Sequence, residues 1–162
     1  MSMLRSWLAT VGLLSVSACG FRLAGSEPLP AVLGRPYLSL KNPYSDFSRE
    51  FQHRLEIAGA ALQTVRADST ASIEVTKDLV ETRTLSVTSQ NIPTEYELVY
   101  TVTFVVKGPD KQLLAPQTIS LSQDYSFEEN ALLAKQNEAD VLRQQMARDL
   151  VGIAMHRLSS LK

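Results

Sequence analysis

The sequence predicts a two-layer α+β sandwich: two helices packed on one face of a four-stranded sheet, in the order β-α-β-β-β-α. Two observations lead there. After the first helix the apolar residues change from a period of 3.6 to a period of 2, and in the last third they return to 3.6. Each strand has one apolar face and each helix one apolar stripe, so both helices should cover the same side of one sheet. The other side carries Glu, Thr, Ser and Lys and offers no equal apolar face.

The elements follow in order. Arg35 to Leu40 (RPYLSL) reads as a short first strand, closed by the turn pair Asn42-Pro43. Phe47, Phe51, Leu55 and Ala58 then recur at helical spacing, which predicts a helix from Ser45 to Ala58. Ser45 is its best N-cap, because a serine hydroxyl accepts an orphan first-turn amide. Gly59 is its stop. From Ala71 to Val87, Ala71, Ile73, Val75 and Leu79 are expected on one face, with Glu74, Thr76 and Asp78 on the other. Leu85 to Pro93 (LSVTSQNIP) is a polar connector broken by Asn91 and Pro93. In TEYELVYTVTFVVK the even positions Tyr96, Leu98, Tyr100, Val102, Phe104 and Val106 are apolar or aromatic. The odd ones are mostly polar, Val99 and Val105 excepted, as in a half-buried strand.

Gly108-Pro109-Asp110-Lys111 has turn chemistry and predicts a hairpin. The partner strand is expected after Pro116, where Ile119, Leu121, Tyr125 and Phe127 alternate with Ser120, Ser122, Asp124 and Ser126. Helix then returns, as a short stretch around Asn130 to Lys135 and a longer helix from about Asn137 to Leu158. The stripe of the longer helix is Leu142, Met146, Leu150 and Ile153. Gly152 inside it costs ~1 kcal/mol relative to alanine. There is no internal repeat, low-complexity tract or second domain.

Upstream of the domain, residues 1–18 have the layout of a secretion signal. Arg5 is the only charge, Trp7 to Val16 is largely apolar, and Ser17-Ala18 are small. The apolar run is shorter than the ~20 residues a bilayer span needs. It ends at Val16-Ser17-Ala18-Cys19, which resembles the bacterial lipobox, and Cys19 is the one cysteine in the chain. An ordinary signal cut near Ala18 is the competing reading. Lipidation needs a thiolate nucleophile, which Cys19 supplies. By resemblance to Gram-negative lipoprotein sorting, Gly20 in place of an aspartate favours the outer membrane.

The expected organisation is a removed signal (1–18), a lipid anchor and Gly/Pro-rich lead-in (19–34), and one domain (35–162). Loss of the signal removes only Arg5. It leaves 15 Lys and Arg against 17 Asp and Glu, a net charge of −2 with both histidines neutral. No basic field then draws the domain to nucleic acid or anionic lipid.

Little in the chain suggests catalysis. His53 and His156 stand alone on separate helices, with no second histidine or cysteine at metal-ligand spacing. Nucleophile-elbow, phosphate-loop and zinc-protease motifs are missing. Glu95 and Glu97 share a solvated strand face, where nothing separates their pKa values for acid–base work. Glu128-Glu129 reads as surface or helix-start charge. The row Tyr96, Tyr100, Phe104 is most simply core. From residues alone this is a lipid-anchored periplasmic domain of the binding or assembly kind, without cofactor or metal.

Several stretches together resemble one family. Cys19-Gly20-Phe21-Arg22-Leu23 is similar to the start of the mature LPS-assembly lipoproteins of the LptE family. YSDFSREFQHRLEIAGAAL resembles that family's first helix, and Glu95-Tyr96 falls within a strand similar to its Glu-Tyr strand. Ala131 to Lys135 followed by Asn137-Glu138 resembles its approach to the second helix.

The resemblance implies two helices over a four-stranded sheet and no enzymatic activity. It also implies an outer-membrane lipoprotein that plugs and helps assemble the lipopolysaccharide (LPS)-translocating barrel LptD and that binds LPS. The family's LPS-contacting cations lie on the sheet-side loop and just before the second helix. Lys135 keeps the latter position, while the loop here is the uncharged Thr88, Ser89, Gln90, Asn91. The competing readings are an auxiliary outer-membrane lipoprotein of an ABC-type lipid transport system and a lipid-anchored enzyme.

Overall fold

The structure, a computed structural model, describes residues 28–126 and 132–161. β1 (Pro36–Leu40) pairs in parallel with β2 (Ala71–Val87), Leu38 opposite Ile73 and Leu40 opposite Val75. A parallel pair needs a crossover rather than a tight turn, and the connection carries α1 (Asp46–Ile57). β2, β3 (Pro93–Lys107) and β4 (Gln112–Ser126) follow as two antiparallel hairpins, so the sheet order is β1-β2-β3-β4. α2 (Leu132–Ser159) packs beside α1 and over β3 and β4. The expected sandwich and element order are those observed.

The helix side of the sheet holds the core. Phe47, Phe51 and Leu55 of α1 are fully buried against Ile73, Val102, Phe104 and Val106. Phe51 lies 5.2 Å from Phe47 and 6.4 Å from Phe104 between ring centroids. Each such side chain contributes about 1.5–3 kcal/mol by leaving water. Ser45 caps α1 as expected, its hydroxyl accepting the Ser48 N–H at 3.0 Å. Gly59 ends the segment at φ +90°, a conformation glycine adopts without steric cost.

Four expectations change. The first concerns β2. Its register shifts between Val75 and Lys77, so the alternation reverses there. Asp78 turns to the helix side opposite Val102, and Leu79 turns outward, 41% exposed. The second concerns β4, which begins at Gln112 and passes through Pro116. A proline is tolerated there because β4 is an edge strand, and the register with β3 also shifts at that point.

The third change is in the last third of the chain. α2 is one continuous helix of 28 residues through Lys135 and Asn137, since no glycine or proline interrupts that stretch. Its buried stripe is Met146, Ala147, Leu150, Val151, Ala154 and Leu158, and Ile153 is 37% exposed. The small Ala147 and Ala154 set the inward face, and Ile153 is rotated off it. The fourth change is in the connector from Leu85 to Pro93. Val87 and Pro93 still pair, leaving only residues 88–92 as a hairpin turn. Phe127, Glu128-Glu129 and Asn130 lie outside the described residues.

Asp78 is satisfied by three hydroxyls. Ser45 Oγ donates to its Oδ2, as does Ser48 Oγ at 3.2 Å, and the Tyr100 hydroxyl donates to Oδ1 at 3.0 Å. The Tyr100 oxygen in turn accepts the Phe47 N–H at 3.2 Å. Tyr100→Phe should therefore lower unfolding stability by about 1–3 kcal/mol, because a carboxylate oxygen and a helix amide both lose a buried partner. Denaturant titration would show a lower midpoint with an unchanged slope; an unchanged midpoint would mean the hydroxyl is idle.

Candidate functional site

The start of β3 defines one end of the sheet. It pairs with the end of β2, Val87 opposite Pro93, and with the end of β4, Glu95 opposite Ser126. The β2–β3 turn and the approach to α2 therefore meet at the same end of the fold. Thr88, Ser89, Gln90 and Asn91 occupy the turn. Lys135 is the fourth residue of α2, in its first turn. Its backbone is helical, while its side chain lies outside the described residues, as does the whole of Cys19.

The turn is built by its own polar groups. Thr88 Oγ1 accepts the N–H groups of Gln90 and Ile92, both at 3.2 Å. The Thr88 N–H donates to the Ile92 carbonyl at 2.7 Å, and the Asn91 N–H to the Thr88 carbonyl at 2.9 Å. Asn91 sits at φ +64°, in the left-handed region that asparagine tolerates better than most side chains. Just below, Ser86 donates to Glu95 Oε2 at 2.9 Å and makes a 2.7 Å hydroxyl contact with Thr94. Val87, 50% exposed, and Ile92, 38% exposed, flank the uncharged loop.

The charges described at this end are mostly carboxylates: Glu81, Glu95, Glu97 and Asp124. Arg83 lies 3.7 Å from Glu97 and 3.9 Å from Glu81, so it faces two carboxylates already. The first turn of α2 contains no acidic residue. A lysine in that turn meets the positive end of the helix dipole and gains nothing from it. Lys135 is thus placed where a cation does not help its own helix. On the helix side of the same end, Tyr96 and Tyr125 stack with centroids 5.5 Å apart. Burial, with Tyr96 beside it, holds the Tyr125 phenol above its ordinary pKa. Tyr100 and Phe104 are core as expected, whereas Tyr96 is only half-buried.

The remaining candidates do not converge. His53 is exposed on α1 beside Arg49 and Glu50, and His156 is exposed on α2 beside β4, in a different cavity. Glu95 bonds Ser86 and Glu97 faces Arg83, so neither is poised against the other. Among the described residues no group of His, Cys, Asp or Glu could hold a metal. What the end of the sheet offers is an uncharged hydrogen-bonding loop with apolar flanks, at the same end as a helix start that carries a lysine. The flanks were missed in the sequence, although V-T-S-Q-N-I brackets its polar run with two aliphatic residues.

Comparison with known proteins points one way. The family model described as "LptE: Lipopolysaccharide-assembly" matches residues 37–158. The LPS-assembly lipoprotein LptE of Pectobacterium atrosepticum is 26% identical over 138 residues, covering 84% of this chain and 74% of that protein. Its counterpart from Photorhabdus laumondii is 28% identical over 144 residues, covering 86% and 76%. Among solved structures, lipoprotein B of Nitrosomonas europaea superposes with a TM-score of 0.72 at 25% identity, over 87% of this chain and 91% of that one. The rare lipoprotein B of Shewanella oneidensis gives 0.67 at 26% identity, over 78% and 94%.

The turn geometry carries its own test. Asn91→Val should open the tip by about 1–2 kcal/mol, the cost of a bulky side chain in the left-handed region. Amide exchange at Gln90 and Ile92 would then speed up about tenfold. Asn91→Gly should leave exchange close to that of the unaltered chain. Equal exchange in all three would show that the turn does not depend on this backbone conformation.

Proposed function

The chain belongs to the LptE family of LPS-assembly lipoproteins, and on that premise we propose how it works. An acylated Cys19 holds it at the outer membrane. It occupies the lumen of the LPS-translocating barrel LptD, assists that barrel's assembly, and binds LPS on its way to the outer leaflet. The family's work is assembly, not catalysis. The observation that carries the reading is the extent of the family match, which runs from within β1 into the last turn of α2.

The outer sheet face supports a place in a polar lumen. Thr101 and Ser120 meet through their hydroxyls at 2.9 Å, as do Thr103 and Thr118. Val99 and Val105, the two apolar exceptions, flank these pairs along β3 and are only 9% and 6% exposed. A large barrel's interior is polar, and a ladder of hydroxyls suits it better than an apolar face would. Cys19 supports the anchor, because two or more acyl chains, at about 0.8 kcal/mol per buried CH₂, hold a domain stably at a membrane. Among the described residues no helix is long and apolar enough to cross a membrane.

LPS is phosphorylated, while the domain without its signal stands at −2. Attraction must therefore come from placed cations rather than from net charge. Lys135 offers a phosphate three donors and a point charge. The uncharged loop from Thr88 to Asn91 offers neutral hydrogen bonds beside it.

Two experiments test the reading. Purified from outer membranes, the mature protein should carry acyl chains on Cys19 by intact mass and bring down the barrel. A free thiol, or a preparation without the barrel, would refute the anchor or the partnership respectively. Lys135→Asp should weaken LPS binding severalfold at low salt and less at high salt, as expected for a charge contact that salt screens. Circular dichroism and barrel recovery should stay unchanged. Equal LPS affinity across the salt series would remove Lys135 from the site.

A further inference from the structure

We propose that β4 accepts an extended segment of the protein partner as a fifth strand, with that segment's alternate side chains entering the groove between β4 and α2. The inference rests on the reading that the chain works with a barrel partner, and it assigns a surface to that partnership.

β4 is one edge strand of the sheet, with no strand on its outer side among the described residues. It pairs with β3 without a register shift from Glu95 opposite Ser126 to Phe104 opposite Gln117, so its other edge presents a regular row of N–H and C=O groups. Proteins normally guard such an edge with lysines, prolines or bulges. Here the proline and the register shift both sit at the Pro116 end. From Gln117 to Gln123 the strand has no charge at all, and Asp124 is the first.

Beside this edge runs a groove of about 610 Å³, with Leu121, Gln123, Leu142, Met146, Gly152 and Ile153 in its lining. Gly152 is the telling residue. It lies inside a long helix, where glycine is weaker than alanine. A Cβ built on it meets nothing within 4 Å. Its φ is not in the positive range either, since Gly59 alone has that among the described glycines. Nothing among the described residues therefore requires a glycine at this position. The space left open by its missing side chain would admit the close approach of a second backbone. Ile153, expected in the core, is turned toward the same groove.

The chemistry selects the occupant. An acyl chain could cover Leu121, Leu142 and Ile153 but would leave the β4 edge unpaired. An extended polypeptide covers the apolar floor with every second side chain and pairs the edge with its backbone, the usual mode of strand addition. The run of β4 is itself uncharged; of the charged groups beside it, Arg148 and Asp149 stand side by side on the rim, and Arg157 is bonded to Gln117 at 2.8 Å. That run matches a segment with small or apolar alternating residues and no net charge.

The test uses the full-length lipidated chain, free and in complex with the co-purified barrel. In the complex, alternate amides between Gln117 and Asp124 should exchange at least tenfold more slowly than in the free chain. Gly152→Leu, which fills the groove, should abolish that protection and lower barrel recovery severalfold, while the free variant keeps or raises its Tm. Gly152→Ala should raise the Tm of the free chain.

Equal exchange in free and bound chains, or a Gly152→Leu protein that behaves like the unaltered one, overturns the inference. Protection that appears in the free chain and grows with its concentration also overturns it, in favour of a second copy. Barrel recovered with an unprotected β4 refutes this inference alone. A chain that recovers no barrel refutes the partnership, and the inference falls with it.

Discussion

The covered half of this fold depends on where Asp78 goes. A carboxylate drawn under a helix is costly unless its oxygens are satisfied, and here Ser45, Ser48 and Tyr100 all donate to it. Three elements are joined through one side chain: the start of α1, β2 and β3. Burial, reinforced by the Asp78 charge, pushes the Tyr100 phenol well above its ordinary pKa, so it remains a donor. The Phe47 amide, one of the first-turn groups a helix leaves without a partner, donates to the Tyr100 oxygen that lies over it. The start of α1 is thus pinned to the sheet at a defined place. Asp46, the next residue after the cap, extends the chain of contacts to α2 through Arg143 at 2.7 Å. Burial alone would raise the Asp46 pKa, but Arg143 and Arg49 outweigh it and hold the carboxyl below its ordinary value. That half-exposed pair is worth roughly 0–1 kcal/mol, so its contribution is orientation more than stability.

From this pinning the exposed half follows by length. α1 has 12 residues, about 18 Å of helix, whereas β2 has 17 residues and extends about 55 Å. With its start fixed over Asp78, α1 cannot reach the far arms of the hairpin. Most of β2 beyond Val80 is accordingly exposed. α2, at 28 residues and about 42 Å, does run most of the length of the sheet, and it begins at the hairpin end. The same lengths that build a closed core at one end leave a loop, two apolar flanks and a helix start together at the other. The closed core and the open loop are thus separated along one sheet, and the polar outer face is not part of the core.

Much of this was written in local patterns. The even-numbered apolar run from Tyr96 to Val106 could be nothing but a half-buried strand, and Phe47, Phe51 and Leu55 could be nothing but a helix face. Ser45 and Gly59 mark the ends of that helix by the hydrogen bonds and backbone freedom they supply. Layer order followed, because each element had one apolar side to bury. The lipobox-like site at Cys19 and the family likeness were legible for the same reason: short, ordered strings of residues carry them.

What local pattern could not give was phase and proximity. The reversal at Val75–Lys77 sends Asp78 inward and Leu79 out, and it depends on how β2 pairs with β3 rather than on either strand's alternation. Ile153 fits the helical period, but which of two neighbouring faces of α2 turns inward depends on Ala147 and Ala154 meeting α1 and the sheet. Pro116 reads as a strand breaker until the sheet order shows its strand to be an edge. Thr88 to Asn91 and Lys135 are more than forty residues apart in sequence, and only the pairing of β3 with both its neighbours brings their ends together. The sequence by itself determined the elements, the layers and the family, since each is encoded in contiguous residues. Tertiary structure alone decided which carboxylate is drawn inward, which helix face is left open and which distant segments share one end, because these arise from packing between elements that no single stretch contains.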